Sequence, residues 1–232
     1  MINSKQAASN LTQSIYQHLW HEVSYLHLMP GKKLSEVKLA QEFQCSRIPV
    51  REAIHLLVAE DALEVRPQRG SFVTLINLEQ LAQIRYLREA LEYKVMMDGY
   101  RAGSLNSVVP LMEYLVSQQK DALLKQDYES AFQLDIEFHN LFYALTGKEF
   151  VLEHTGEKNI HYLRARLLSL QIEPPGLMAQ QHFAIINAVK EQDESAFEKA
   201  IYVHLSNVNC LFSQEHPQLK DYIRNSSDGV SS

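Results

Sequence analysis

The sequence predicts a mainly α-helical chain in two parts. An N-terminal winged helix-turn-helix with a small β-hairpin is followed by an all-α antiparallel bundle. Three observations predict it. Residues 30–73 read as a short helix, a tight turn, a second helix and a basic-tipped hairpin. Beyond Asn77, apolar residues recur at three- and four-residue spacing without strand-like alternation. With 232 residues, 46% of them hydrophobic, the chain is long enough for two parts that each bury a core.

The elements follow in order. Leu11, Ile15, Leu19 and Val23 share one face of an opening helix over about 10–28, broken by Pro30-Gly31. Ser35 is a good N-cap for a helix that buries Leu39 and Phe43. After the Gln44-Cys45 turn, Ser46 caps a helix to about Glu60, with Pro49 tolerated in its first turn. Leu63 and Val65 open a strand, Pro67-Gln68-Arg69-Gly70 is turn chemistry, and 72–75 return as the second strand. The first part is therefore 1–76. The second, 77–232, reads as helices at 78–102, 105–126, 128–146, 149–172, 177–192 and 194–214, with a disordered tail from about residue 225.

Net charge is −6, divided unevenly. Residues 1–76 hold eight Lys/Arg against seven acids, and the remainder holds 14 against 21. The basic residues of the first part cluster where a polyanion would lie, and local charge governs that attraction. Cys45 and Cys210 form no CxxC pair, which argues for a reducing compartment and against a disulfide framework. No apolar run approaches the roughly 20 residues of a bilayer span, and the start (MINSKQAASN) lacks a signal-peptide pattern. A cytoplasmic protein without a membrane partner is expected.

On the 46–60 helix, Val50, Ala53, Ile54, Leu57 and Val58 form an apolar stripe, with Arg47, Arg51 and His55 together on another line. A helix pinned by one face and showing arginines near its N-terminus fits the major groove of double-stranded DNA. Arginine pairs two donors with guanine O6 and N7, for about 1–3 kcal/mol of discrimination. Ser46 at the helix start suits a phosphate, and Ser35 at the start of the preceding helix is placed in the same DNA-facing set. Arg69-Gly70 at the hairpin tip suits the adjacent minor groove or backbone. Singly, each arginine could merely solvate a helix; cap, turn, spacing and hairpin together point to DNA. His55 is given no role.

The stretches PGKKLSEVKLAQEFQCSRIPVREAI and LEVRPQRGSFV resemble the DNA-binding domain of GntR-family transcriptional regulators, at PG, LSE, LA, SR-PVREA and RPQRG-FV. The all-helical remainder resembles the FadR subfamily with its FCD effector domain. The resemblance implies recognition roles for Ser46, Arg47, Arg51, Gly70 and Arg69. Gln44-Cys45 departs from the glycine-valine usual in the family, so Gln44 is expected to carry mild strain in a left-handed turn.

In the second part, Phe132, Asp135, Ile136, His139 and Phe142 share an inward face, which brings Asp135 and His139 in with the core. His182 opens the stripe Ile185, Ile186, Val189, and His204 falls on the stripe Phe197, Ala200, Ile201, Val208. Burying one carboxylate and three imidazoles without compensation is costly. A divalent cation would satisfy all four, and His-rich N/O ligation suits Zn, Ni, Mn or Co. From spacing alone, a histidine on an apolar face is more often a hydrogen-bonded core residue than a ligand. The FCD resemblance implies a metal held by an Asp-x-x-x-His pair and two later histidines, which Asp135, His139, His182 and His204 match. The other histidines (18, 21, 27, 55, 154, 161 and 216) read as structural or exposed.

Open positions on such an ion suit a small carboxylate effector, completed by inward arginines. Arg88 matches a position the subfamily often fills with arginine, Arg166 is a second candidate, and Arg164 reads as an ordinary surface or interhelical ion pair. The expected function is a ligand-responsive regulator, a repressor by family precedent, binding an inverted-repeat operator as a homodimer. It is expected not to be an enzyme. Two alternatives stay open: a metal-dependent hydrolase in which the four residues activate water, and a constitutive DNA binder whose helical part is purely structural.

Overall fold

A computed structural model of the protein describes residues 2–155, 159–174, 176–213 and 219–224. The chain divides into two compact units, Met1–Leu78 with Pro217–Ser232, and Glu79–His216.

The first unit opens with α1 (Ile2–Ser24), α2 (Glu36–Glu42) and α3 (Arg47–Ala59). α1 begins earlier than the apolar spacing suggests and ends before Leu28, because Leu26 turns left-handed at φ 63°. Ile15, Leu19 and Val23 of α1 pack with Val50, Ala53, Ile54 and Leu57 of α3, all buried. In α2 the expected burial of Leu39 and Phe43 is only partial; Ala40 is the residue that goes fully inside. Its small side chain lets the short helix lie close to α3. β1 (Leu63–Arg66) and β2 (Gly70–Val73) form the antiparallel hairpin, registering Leu63 with Val73 and Arg66 with Gly70. Lys33 bridges Phe72 along the hairpin's other edge.

A second small pairing joins β3 (Ile76–Asn77) to β4 (Ile223–Arg224) in parallel. The Ile76 N–H donates to the Tyr222 carbonyl at 2.8 Å, and Arg224 pairs with Asp61. A buried backbone N–H needs a partner, and here the far end of the chain supplies it. This corrects the boundary that assigned everything after residue 76 to the helical part: 219–224 lie in the first unit. The expected disordered tail from 225 lies outside the described residues.

The second unit carries α4 (Leu78–Leu87, entering from the first unit), a π-helical turn at Arg88–Glu92, α5 (Tyr93–Arg101), α6 (Val109–Leu124), α7 (Tyr128–Thr146), α8 (Ile160–Ile172), α9 (Leu177–Glu191) and α10 (Glu194–Ser213). The single helix expected over 78–102 is thus interrupted, in the turn that bears Arg88 and Glu92. Short 3₁₀ turns at Ser104–Val108 and Glu149–His154 occupy stretches expected to be α-helical. Asp127 caps α7 by accepting from the Ser130 N–H, and Asn159 caps α8 by accepting from His161 and Tyr162. Met96, Met112, Val116, Phe138, Phe142, Ile185, Ile186, Phe197 and Ile201 form the core. α6 packs on α7 and α9, and α9 on α10. Residues 160–170 of α8 are buried without exception, so α8 has no polar outer face. Among the described residues, no helix is long and apolar enough to cross a membrane.

Candidate DNA-binding surface and candidate metal centre

Ser46 is the N-cap residue of α3 by backbone conformation (φ −74°, ψ 168°), but its side chain makes no capping hydrogen bond. Ser35 does cap: its Oγ accepts from the Lys38 N–H at 3.3 Å, so its hydroxyl is spent within α2. Arg47, Arg51 and Arg69 are exposed, and Gly70 is half-buried at φ 102°. Arg51 Nε donates to Glu36 Oε2 at 2.8 Å. An exposed pair of this kind contributes little stability, yet it fixes where the guanidinium points. The sequence reading missed Ile48, 68% exposed on α3. Its signal was available: a large apolar residue lying off the apolar stripe. On the hairpin, Arg66 Cζ lies 4.4 Å and Lys33 Nζ 5.8 Å from the Phe72 ring centre. These cations flank the tip that carries Arg69. Gln44, at φ 49°, does adopt the left-handed turn expected of it.

In the second unit Asp135, His139, His182 and His204 are all buried, with their ligand atoms within 4.8 Å of one another. His139 Nε2 faces His204 Nε2 at 3.0 Å. Asp135 Oδ1 lies 3.4 Å from His182 Nε2 and 3.7 Å from His139 Nε2. Each ring also meets an oxygen at Nδ1. His182 reaches Gln119 Oε1 at 2.9 Å, His204 reaches Gln181 Oε1 at 3.2 Å, and His139 meets Glu92 Oε1. An oxygen acceptor at Nδ1 holds the ring proton there and leaves Nε2 as a bare lone pair. With the proton on Nδ1 of both rings, the Nε2 lone pairs of His139 and His204, facing at 3.0 Å, would repel unless a cation lay between them. His182 Nε2 is buried with no hydrogen bond, and His139 Nδ1, although beside Glu92 Oε1, lacks hydrogen-bond geometry to it. The donor set therefore fits a divalent ion. Glu92, Gln119 and Gln181 were not foreseen, since no local pattern marks a residue that meets a ring from another helix.

The electrostatics keep these groups in ligating form. Burial alone would raise the Asp135 carboxyl, but Arg166, then His139 and His182, hold it well below the usual carboxylate range. Burial likewise opposes ionisation of Glu92, and Arg88 and His139 overcome it to hold the pKa at about 2. Burial pushes His182 down to about 3 and His204 well below its ordinary value, so both rings are neutral at neutral pH.

The arginines divide. Arg88 Nε donates to Glu92 Oε2 at 2.6 Å and its Nη1 meets the Tyr162 hydroxyl. With Glu92, Asp135, His139, Tyr143 and Tyr162 it lines a cavity of about 30 Å³. Arg166 is directed instead at the Asp135 carboxylate, which its Nη2 reaches at 3.1 Å. It is not among the residues that line that cavity. Arg164 is fully buried, donating to the Ile160 carbonyl at 3.1 Å and meeting His161 Nδ1 at 2.9 Å. Of the surface or interhelical ion pair expected for Arg164, the surface form is corrected, because residues 160–170 of α8 are all buried.

A winged helix-turn-helix with exposed arginines, joined to a helical unit around a buried Asp/His cluster, defines a DNA-binding regulator with a sensory domain. Comparison with known proteins says which. Residues 11–73 match the family described as bacterial regulatory proteins, gntR family, and residues 83–207 match the FCD domain. The chain belongs to the GntR family and is an FCD-type transcriptional regulator, not an enzyme. It is 30% identical over 215 residues to the HTH-type transcriptional repressor RspR of Escherichia coli strain K12, across 91% of this chain and 93% of that one. It is 26% identical over 210 residues to the HTH-type transcriptional regulator LutR of Bacillus subtilis strain 168, across 80% and 94%. Among solved structures, a GntR transcriptional regulator from Rhodococcus sp. RHA1 shares the fold at TM-score 0.68 and 18% identity, covering 88% of this chain and 98% of that one. E. coli McbR/YncC does so at 0.63 and 21%, covering 89% and 99%. The family places a regulator where the hydrolase alternative had an enzyme. FCD domains are often metal-binding, and this one carries a buried cluster of the right residue types.

Proposed function

We propose that the chain is a ligand-responsive repressor of the FadR subfamily, acting in the cytoplasm as a homodimer on an inverted-repeat operator. Twofold symmetry in the protein would be mirrored in the two half-sites. Ser46 takes a phosphate at the α3 N-terminus, where free N–H groups assist it. Arg47 and Arg51 take guanine edges, Ile48 a thymine methyl, and Arg69 with Gly70 the minor groove or backbone. Ser35 serves this surface indirectly, by capping α2. The repressive sense follows RspR, a transcriptional repressor 30% identical to this chain.

Asp135, His139, His182 and His204 would hold a divalent ion, with Zn, Ni or Mn suited to the donor set. When bound, the ion supplies a Lewis-acidic anchor for a small carboxylate effector. The observation that carries this reading is the approach of His139 Nε2 and His204 Nε2 to 3.0 Å while both Nδ1 atoms are turned to oxygens. Arg88, lining the adjoining cavity, receives the effector carboxylate; Arg166 aligns Asp135. A cavity of about 30 Å³ takes about two waters, so even a small carboxylate requires Arg88 or Tyr162 to swing aside. Effector control then rests on different affinities for the two states of that contact.

Metal analysis of the purified chain, with a thermal-shift screen of small carboxylates with and without chelator, tests the reading. One tight equivalent is expected, with a carboxylate shift that chelator abolishes. No shift from any small carboxylate in the metal-loaded protein would favour the constitutive binder.

A further inference from the structure

We propose a second metal site, on the surface of the first unit, formed by His21, Glu22 and His27 and suited to a borderline divalent ion such as Cu(II), Ni(II) or Zn(II). His21 Nδ1 and His27 Nδ1 face one atom, Glu22 Oε1, at 3.8 Å and 3.0 Å. Each residue offers a ligand atom within 4.8 Å of the others. Two imidazole nitrogens and a carboxylate oxygen make an N₂O set with one negative charge, which leaves further positions to water.

The backbone prearranges this convergence. His21 and Glu22 lie in the last turn of α1, while His27 lies beyond the helix end. Leu26, left-handed at φ 63° and only 7% exposed, folds the chain back at that point. The turn is closed by the Leu28 N–H donating to the Glu22 carbonyl at 2.9 Å. Burial of the Leu26 side chain thus holds a conformation that an ordinary L-residue avoids, and it delivers His27 onto Glu22. Tyr25 stacks on the His21 ring with centroids 4.4 Å apart, limiting its rotation.

The setting favours a cation from solvent. The His21 and His27 side chains are 46% and 45% exposed, and Glu22 is 28% exposed. The last carbonyls of α1 present the negative end of its macrodipole to the same region. His18, one turn earlier, is separate, since it meets Glu42 instead. With three protein ligands and water access, the site binds more weakly than the buried four-ligand cluster. An ion there fastens the end of α1, which packs on α3, to the segment that leads into α2.

Zinc titration of the full chain against a metallochromic competitor reads both sites at once. Wild type takes a tight and a weaker equivalent. His27→Ala and Glu22→Gln each lose the weaker one and keep the tight one, whereas His204→Ala loses the tight one and keeps the weaker. Cu(II) electron paramagnetic resonance of the His204→Ala chain adds a second readout: nitrogen hyperfine structure that disappears on further replacing His27. Absence of a weaker equivalent, or one that survives His21→Ala, Glu22→Gln and His27→Ala alike, overturns the site and leaves a hydrogen-bonded helix end. Loss of the tight equivalent alone would count against the buried cluster and not against this proposal.

Discussion

Arg166 lays its guanidinium across the Asp135 carboxylate, with Nη2 3.1 Å from Oδ1 and Nε 3.2 Å from Oδ2. Both side chains are buried. Breaking a buried ion pair from one side strands the other charge, at a cost of about 3–5 kcal/mol. Arg166→Met is therefore expected to destabilise the metal-free chain by about that amount in urea unfolding. Added zinc should recover part of the loss, because an ion beside Asp135 restores a positive neighbour. Unchanged stability would mean that Asp135 is not held as a charged group.

Arg51 is exposed and paired only with Glu36 on the described surface. Arg51→Ala should lower affinity for the specific operator by about 1–3 kcal/mol per lost guanine contact, roughly tenfold or more. Circular dichroism should show the fold intact. Operator binding that is equal in the two proteins would remove Arg51 from the recognition set.

Gln44 stands at φ 49° in the turn between α2 and α3. A non-glycine residue held left-handed costs roughly 1–2 kcal/mol, part of which glycine returns to the flexibility of the unfolded chain. Gln44→Gly should raise stability by about 0.5–1 kcal/mol, a few degrees in melting temperature for the first unit. A lower melting temperature would show that the Gln44 side chain outweighs its backbone strain.

Tyr16 donates to Glu60 Oε1 at 2.6 Å. Burial, then the hydrogen bond and the charge of Glu60, push its pKa up to about 12 from an ordinary 10. Folding thus favours the neutral phenol, so the contribution is complete below pH 10 and disappears as pH rises through 12. Tyr16→Phe should flatten the fall of melting temperature over that window. It should also delete one late-titrating phenol, of eleven tyrosines, from the absorbance titration.

Local patterns carried much of this architecture. The cap at Ser35, the N-cap backbone position of Ser46 and the i, i+4 pair Asp135–His139 are each written within a few residues. The inward stripes then brought His182 and His204 to the same cluster, since helix faces follow directly from periodicity. Three kinds of feature were not legible. The rings' outer partners, Glu92, Gln119 and Gln181, come from separate elements, and nothing local announces such a meeting. The π-helical turn at Arg88–Glu92 is stabilised by tertiary contacts of its own side chains, among them Glu92 with His139. The return of Ile223–Arg224 to Ile76–Asn77 joins segments far apart in the sequence, a pairing too short to leave a strand pattern. Arg166 was recognised as inward, but its partner was not: a guanidinium that could serve an effector serves the ligand carboxylate.

The most direct test is the metal content of the chain after dialysis against a weak chelator, compared with His139→Ala under the same conditions. One divalent ion is expected to be retained per wild-type chain and none in the variant. Equal retention by both proteins, or none by either at zinc concentrations that load ordinary four-ligand histidine sites, would contradict it.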